Sequence, residues 1–243
     1  MTGAIITATT MPEAPNDGGL ASGALYRLMA WLSPSYPVGA FTHSHGLEWV
    51  IEDGSVTDAR SLYDWIEDIV LFGAGRQDAI LLATSWRAVA DGDADRLREI
   101  AELAAALAPS KERQLETMAQ GRAFALATDA AWSAETGVDG VGETDPAYPV
   151  AVGIAAAAYE VPLQPALTAY LHAFAANIVS AGVRLVPLGQ TDGQRLIARL
   201  EALVDGVAED ASGANLDDIG GCVLLADIAS MRHETQYTRL FRT

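Results

Sequence analysis

The 243-residue chain holds a single cysteine, Cys222. That excludes an intrachain disulfide framework and a zinc site built from cysteines. A lone reduced thiol acts as a small hydrophobe. Basic residues are scarce: 15 Lys and Arg stand against 32 Asp and Glu, a formal net charge of −17. A surface of that sign repels phosphate backbones and anionic lipid, so neither nucleic acid nor membrane is expected as a general partner, whereas a basic protein would suit it. Also missing are a GxxxxGK phosphate loop, a GxSxG elbow and an HExxH helix, and with them the commonest nucleotidase, hydrolase and zinc-protease readings. Acidic pairs such as Glu67-Asp68 and Asp217-Asp218 read as solvated helix faces, and no nucleophile–base constellation assembles. The chain reads as a non-enzyme.

Alternating strand patterns are absent too, and what remains is helical periodicity. Leu25, Leu28, Met29 and Leu32 make one stripe, which Pro34 ends; Leu62, Trp65, Ile66 and Ile69 make a second, capped at Thr57 or Asp58 and stopped at Gly73. An apolar helix over about 78–90 ends in the turn Asp91-Gly92-Asp93. Leu97, Ile100, Ala104 and Leu107 lead to Pro109, and Ser110 can cap a helix carrying Leu115, Met118 and Leu126. Residues 133–149, rich in Gly, Pro and acids, read as the one clear linker. Beyond it three helices are expected: about 165–186, a stripe of Leu196, Leu200, Leu203 and Val204 before an acidic loop AEDASGAN, and about 222–231. The run from Val161 to Val183 carries no charge, but Gln164, Thr168, His172, Asn177 and Ser180 interrupt it, which marks a buried helix of a cytoplasmic protein over a membrane span. Residues 1–19 lack the features of a signal peptide and read as a flexible tail. The expectation is an all-α fold: a single helical bundle of roughly ten helices over residues 20–243.

The stretch SPSYPVGAFTHSHGLEW at 33–49 packs prolines, glycines and two histidines together. The spacing predicts a helix from about Gly39 to Asp53, with Gly54 as its stop. On a helix, His43 and His45 point about 200° apart and could not share a metal within one subunit. His45 aligns with Phe41 and Trp49, and with Glu48 three residues on, as a packed or carboxylate-bonded side chain. The two histidines are the weak candidates for a metal site; no metal ligand is assigned. The last residues, MRHETQYTRLFRT, form a basic and aromatic patch on an acidic chain, with Arg232, Arg239 and Arg242 against Glu234. Arginine and aromatic side chains mark interface cores. Because termini order poorly unless tied down, residues 232–243 are expected to be held only by a partner, with Tyr237, Leu240 and Phe241 exposed until then and the bundle indifferent to their removal.

Taken in order, SPSYPVGAFTHSHGLEW, DAILL at 78–82, SKERQLETMAQGRA at 110–123, VPLGQTDGQ at 186–194 and ASMRHETQYTRLFRT resemble the urease accessory proteins of the UreF type, from about Leu25 to Thr243. The resemblance implies an all-helical, non-catalytic, dimeric protein that binds UreD (also called UreH), recruits the GTPase UreG and so serves nickel insertion into the urease apoprotein. It implies no tightly bound cofactor: nickel would be in transit, and GTP would be the substrate of UreG. It assigns Pro37, Gly39 and Phe41 to a dimer or GTPase-facing surface. It assigns His233, Glu234, Tyr237, Arg239, Leu240, Phe241 and Arg242 to the contact with UreD. Two alternatives stand beside the scaffold: a nickel-binding metallochaperone using His43, His45 or His233, and a regulator of the partner's GTPase that acts through an arginine.

Overall fold

Helix starts and stops are set locally in this chain, and the caps show how. In the computed structural model, which describes residues 20–132 and 145–243, Asp58 Oδ1 accepts from the Ser61 backbone at 2.8 Å while Ser61 Oγ accepts from the Asp58 N–H at 3.1 Å. This reciprocal box opens α3 (Ala59–Phe72), whose predicted stripe of Leu62, Trp65, Ile66 and Ile69 is buried. Asp93 opens α5 (Ala94–Ala106) by accepting from Arg96 N at 2.9 Å, and Ser110 opens α6 (Lys111–Trp132) by accepting from Arg113 N at 3.1 Å. The others are α1 (Ser22–Trp31), α2 (Leu47–Glu52), α4 (Ala74–Asp91), α7 (Tyr148–Ala158), α8 (Leu163–Leu185), α9 (Gln190–Gly213) and α10 (Leu224–His233). No strand occurs among the described residues, and the all-α bundle is as expected. Residues 1–19 and most of the predicted linker fall outside the described residues.

Helices α3, α4, α8 and α9 pack around the main core, which includes Trp31, Ile66, Phe124, Leu167, Ile178 and Leu200. A smaller cluster of Leu81, Leu97, Ile100 and Val150 joins α4, α5 and α7. Helix α8 is the one described helix long and apolar enough to cross a bilayer, but half of its most apolar window is buried.

Several expectations change. Helix α7 was not anticipated: YPVAVGIAAAA is apolar on all sides, so no stripe shows, and it is buried against α4 and α6 with Pro149 in its first turn. The acidic AEDASG stretch continues α9 instead of forming a loop. Leu25 and Met29 do not join Leu28 in the core; they line an open groove of about 760 Å³ between α1, α8 and α9. Leu115 and Leu126 are exposed too, because α6 turns Glu112, Glu116 and Gln120 inward.

The predicted helix from Gly39 to Asp53 is broken. A 3₁₀ turn at Ala40–Thr42 follows Gly39, His43 is extended (φ −117°, ψ 133°), and His45 and Gly46 are left-handed (φ 56° and 75°) before α2 begins. Gly39, at φ 75°, starts the turn, and its conformation favours glycine although nothing crowds its Cβ position. Gly46 needs its bare Cα for space as well: a Cβ there would meet Ser230 N at 2.8 Å.

The cause of the break lies at the far end of the chain. Arg242 N–H donates to Thr42 O at 2.7 Å, and Ser44 N–H donates to Thr243 O at 2.6 Å. The C-terminal segment therefore claims the backbone that a helix would have used. This also corrects the expectation of a partner-dependent tail. Tyr237 and Leu240 are exposed, but Phe241 is only 5% exposed and Thr243 1%. Deleting residues 239–243 would strip the buried carboxylates described below of their partners, and breaking such a pair costs about 3–5 kcal/mol. The midpoint of thermal unfolding, followed by circular dichroism, is expected to fall by roughly 6–20 °C, at ~2–4 °C per kcal/mol for a chain of this size. An unchanged midpoint would mean that the segment is only draped on the bundle.

Candidate functional site

The inward face of α6 presents Glu112, Glu116 and Gln120 at helical spacing, and α2 adds Glu48 opposite. All four are buried. An isolated buried carboxylate is costly, so each must be paired or hydrogen-bonded. Glu48 accepts from the backbone N–H groups of Leu240 (2.7 Å) and Phe241 (3.0 Å). Glu112 accepts from the Arg239 guanidinium at 2.8 Å. Between them lies His233, fully buried, with Nδ1 2.7 Å from Glu112 and Nε2 3.2 Å from Glu48. Both ring nitrogens thus lie within hydrogen-bonding distance of carboxylate oxygens.

Glu116 gathers the second group. It pairs with Arg113 one turn earlier, accepts from Gln120 at 3.1 Å and from the Thr243 hydroxyl at 3.0 Å, and lies 3.1 Å from His45 Nε2. Since the Thr243 hydroxyl donates to Glu116, His43 Nδ1, 2.6 Å away, donates to Thr243 in turn. His45 Nε2 also lies 3.2 Å from an Arg113 nitrogen. It can accept from Arg113 or donate to Glu116, but not both at once. Burial holds the basicity of both His43 and His45 below that of a free imidazole, with Glu116 pulling the other way. Burial pushes the Glu116 carboxyl up, yet Arg113, His45 and His43 together outweigh it and keep the group well below the usual carboxylate range.

This cluster forms one wall of a cavity of about 180 Å³ enclosed by α4, α6, α8 and the 33–41 corner. Asp78 faces it from α4 and accepts from Tyr170 at 2.8 Å. Burial raises the Asp78 carboxyl to about 6, against the opposing pull of Arg113 and Tyr170. Past His45 and Arg113 lies a second cavity of about 260 Å³, which reaches Gln77, Cys222 and Asp227.

The histidine reading from sequence needs correction. His43 and His45 do not point apart; both approach Glu116, at 4.0 and 3.1 Å. His45 is carboxylate-bonded as expected, but to Glu116, while Glu48 serves His233, and its ring packs edge-on against Phe174 with centroids 4.8 Å apart. Among the described residues, no group of three or more His, Cys, Asp or Glu side chains is arranged to hold a metal ion. Of the residues assigned to partners, Pro37, Phe41, Tyr237 and Leu240 are on the surface. His233 and Phe241 are buried, Arg239 is exposed but reaches in to Glu112, Glu234 Oε1 accepts from Lys111 N at 3.1 Å, and the Arg242 backbone pairs with Thr42. Sequence reasoning missed Glu112, Glu116, Arg113 and Asp78, and it set Glu48 beside His45 where the structure pairs it with His233. The available signal was the i, i+4, i+8 row of Glu112, Glu116 and Gln120 on a helix whose leucines face elsewhere.

The UreF family model matches residues 56–201. The protein described as urease accessory protein UreF in Rhodopseudomonas palustris (strain HaA2) is 53% identical over 238 residues, covering 96% of this chain and 100% of its own. That of Bradyrhizobium diazoefficiens (strain USDA 110) is 52% identical over 240 residues, covering 96% and 99%. The chain belongs to the UreF family of urease accessory proteins. Asp78, Arg113 and Glu116 lie inside the span that the UreF model matches, whereas His43, His45, Glu48 and the C-terminal segment that completes the cluster lie outside it.

Asp78 gives this UreF-family protein a measurable pH signature. A carboxyl raised from 3.8 to about 6 costs nothing well below pH 3.8, where it is protonated in both the folded and unfolded states. The cost grows as pH rises and is complete above 6. Asp78→Asn is therefore expected to stabilise the protein at pH 7.5 by up to about 3 kcal/mol, with the gain shrinking as pH falls through 6 and vanishing below about pH 3. The depressed His43 and His45 act with the opposite sign, losing stability as pH falls below 6.5, but they cancel in the difference between variant and wild type. Paired urea titrations across this range check it, and a gain independent of pH would assign the effect to packing.

Proposed function

We propose that this protein is a cytoplasmic urease maturation factor, a non-catalytic scaffold whose single domain over residues 20–243 bridges UreD (UreH) and the GTPase UreG during nickel insertion into the urease apoprotein. The observation that carries the reading is an apolar ridge without cover. Helix α10 exposes Leu224, Leu225, Ile228 and Met231 at helical spacing, and the segment after it exposes Tyr237 and Leu240. These side chains are mounted on a segment tied down by Glu48 and Glu112, so little ordering cost remains when a partner covers them. The ridge is assigned to UreD. The 37–41 corner, with Pro37 and Phe41 outward, is assigned to UreG, and the open apolar groove beside α1 suits a second copy of the chain. Nickel in transit is assigned to the two cavities that meet at His45 and Arg113, with no tight resting site; GTP belongs to UreG.

The test is co-purification. Replacing Tyr237 and Leu240 by alanine is expected to weaken UreD binding by roughly 100-fold or more, at ~1.5–3 kcal/mol per buried side chain, without lowering thermal stability. Full retention of UreD would remove the ridge from the interface. Pro37→Ala and Phe41→Ala are expected to impair UreG recruitment while UreD stays bound. Normal recruitment would make the corner architectural only. A submicromolar nickel site on the isolated chain, lost on His43→Ala or His45→Ala, would replace the scaffold with a metallochaperone.

A further inference from the structure

Two residues, His45 and Arg113, line both cavities, so the wall between them is one imidazole and one guanidinium. His45 is fixed: its backbone is left-handed at φ 56° and its ring is packed on Phe174. Arg113 is the movable part, a long unbranched side chain. As seen, it pairs with Glu116 and lies 3.2 Å from His45 Nε2. Carboxylates wait on both sides of it. Asp78 and Glu116 face the first cavity and Asp227 the second, and the charge of Arg113 acts on all three. The guanidinium therefore has an anionic seat in either cavity.

We propose that Arg113 is a cation gate: seated on Glu116 it closes the wall between the two cavities, and swung toward Asp227 it opens a continuous path for a divalent cation. The proposal rests on the reading that nickel crosses these cavities, and adds how the crossing is controlled. In the closed position the guanidinium fills the constriction, so a divalent ion cannot cross without displacing it from Glu116. The closed gate also neutralises Glu116 beside the His45 imidazole, a pair that would otherwise attract and retain a transition metal. The same arginine would thus keep nickel from crossing out of turn and from being trapped midway.

The test begins with calorimetric titration of nickel chloride into the full-length chain. Arg113→Met is expected to bind nickel at least tenfold more tightly than wild type, Arg113→Lys to resemble wild type, and Arg113→Met with Glu116→Gln to lose the gain. Equal affinity in folded Arg113→Met and wild type overturns the gate. A second variant leaves the closed pair intact and covers the case in which Arg113→Met does not fold. Asp227→Asn removes the open seat; it should slow urease activation by the assembled complex several-fold with the chain's nickel affinity unchanged, and an unaltered rate overturns the swing. Ala176→Phe, which fills the first cavity, separates the two ideas. If activation survives the plug, the passage itself fails and the gate with it. If the plug blocks activation while neither Arg113→Met nor Asp227→Asn has its effect, the gate alone fails.

Discussion

Three buried carboxylates, Glu48, Glu112 and Glu116, dictate more of this structure than any stretch of its hydrophobic core. Each must be compensated, and nearby sequence supplies little beyond Arg113 and Gln120. The remaining partners come from the other end of the chain: His233, Arg239, the backbone N–H groups of Leu240 and Phe241, and the Thr243 hydroxyl. That requirement draws the C-terminal segment onto α2 and α6, with Phe241 and Thr243 turned inward. Once there, its backbone pairs with Thr42 and Ser44, and the stretch around His43 has to be extended. The left-handed turn at His45 and Gly46 follows from the same demand, because the chain must reverse into α2 within two residues.

The distribution of charge fits this picture. A chain with 15 basic and 32 acidic residues has few cations to spare, yet two of its arginines sit on the buried acids. A buried ion pair adds little net stability over an apolar substitute, but removing one member is severe. The cluster therefore acts less as glue than as a specification: only one seating of the C-terminal segment satisfies every group. That seating also presents Arg184 between the two outer regions, donating to Phe41 O at 3.1 Å and lying over the Phe241 ring at 4.5 Å. The surface corner at 37–41 and the C-terminal segment are thus mechanically joined.

What the sequence reveals and what it hides divides along the range of the interactions. The caps at Asp58 and Ser110 act over three residues and are legible, as is the turn around Gly92, although the cap that Asp93 supplies there reads in the sequence only as part of the turn. Helix α7 was hidden because a segment buried on all sides has no polar face to set its period. Helix α6 was read with its leucines inward, since periodicity alone assigns the apolar face to the core; the partners that reverse it lie more than 120 residues away. The His43–His45 geometry failed for the same reason, a hydrogen-bond ladder closed across 200 residues. The patch at 231–243 stands out in the sequence as unusual, and its arginines are exposed as read, but Phe241, His233 and Thr243 face in.

A segment that is both core and surface has a consequence for assembly. Tyr237 and Leu240 project from a backbone whose neighbouring N–H groups are fixed on Glu48, so the outward side chains are held in place before any partner arrives. Preorganisation of this kind lowers the entropy cost of association and makes contact area count more fully. It also couples the outer surface to the inner wall of the cavity. Glu116 accepts from Thr243 at one end of the segment and holds Arg113 at the other, so a force that shifts residues 240–243 is felt at the guanidinium through a single carboxylate. Side chains that share one acceptor do not respond independently. In this protein the exposed side chains of the C-terminal segment and the wall of the inner cavity therefore belong to one hydrogen-bonded unit.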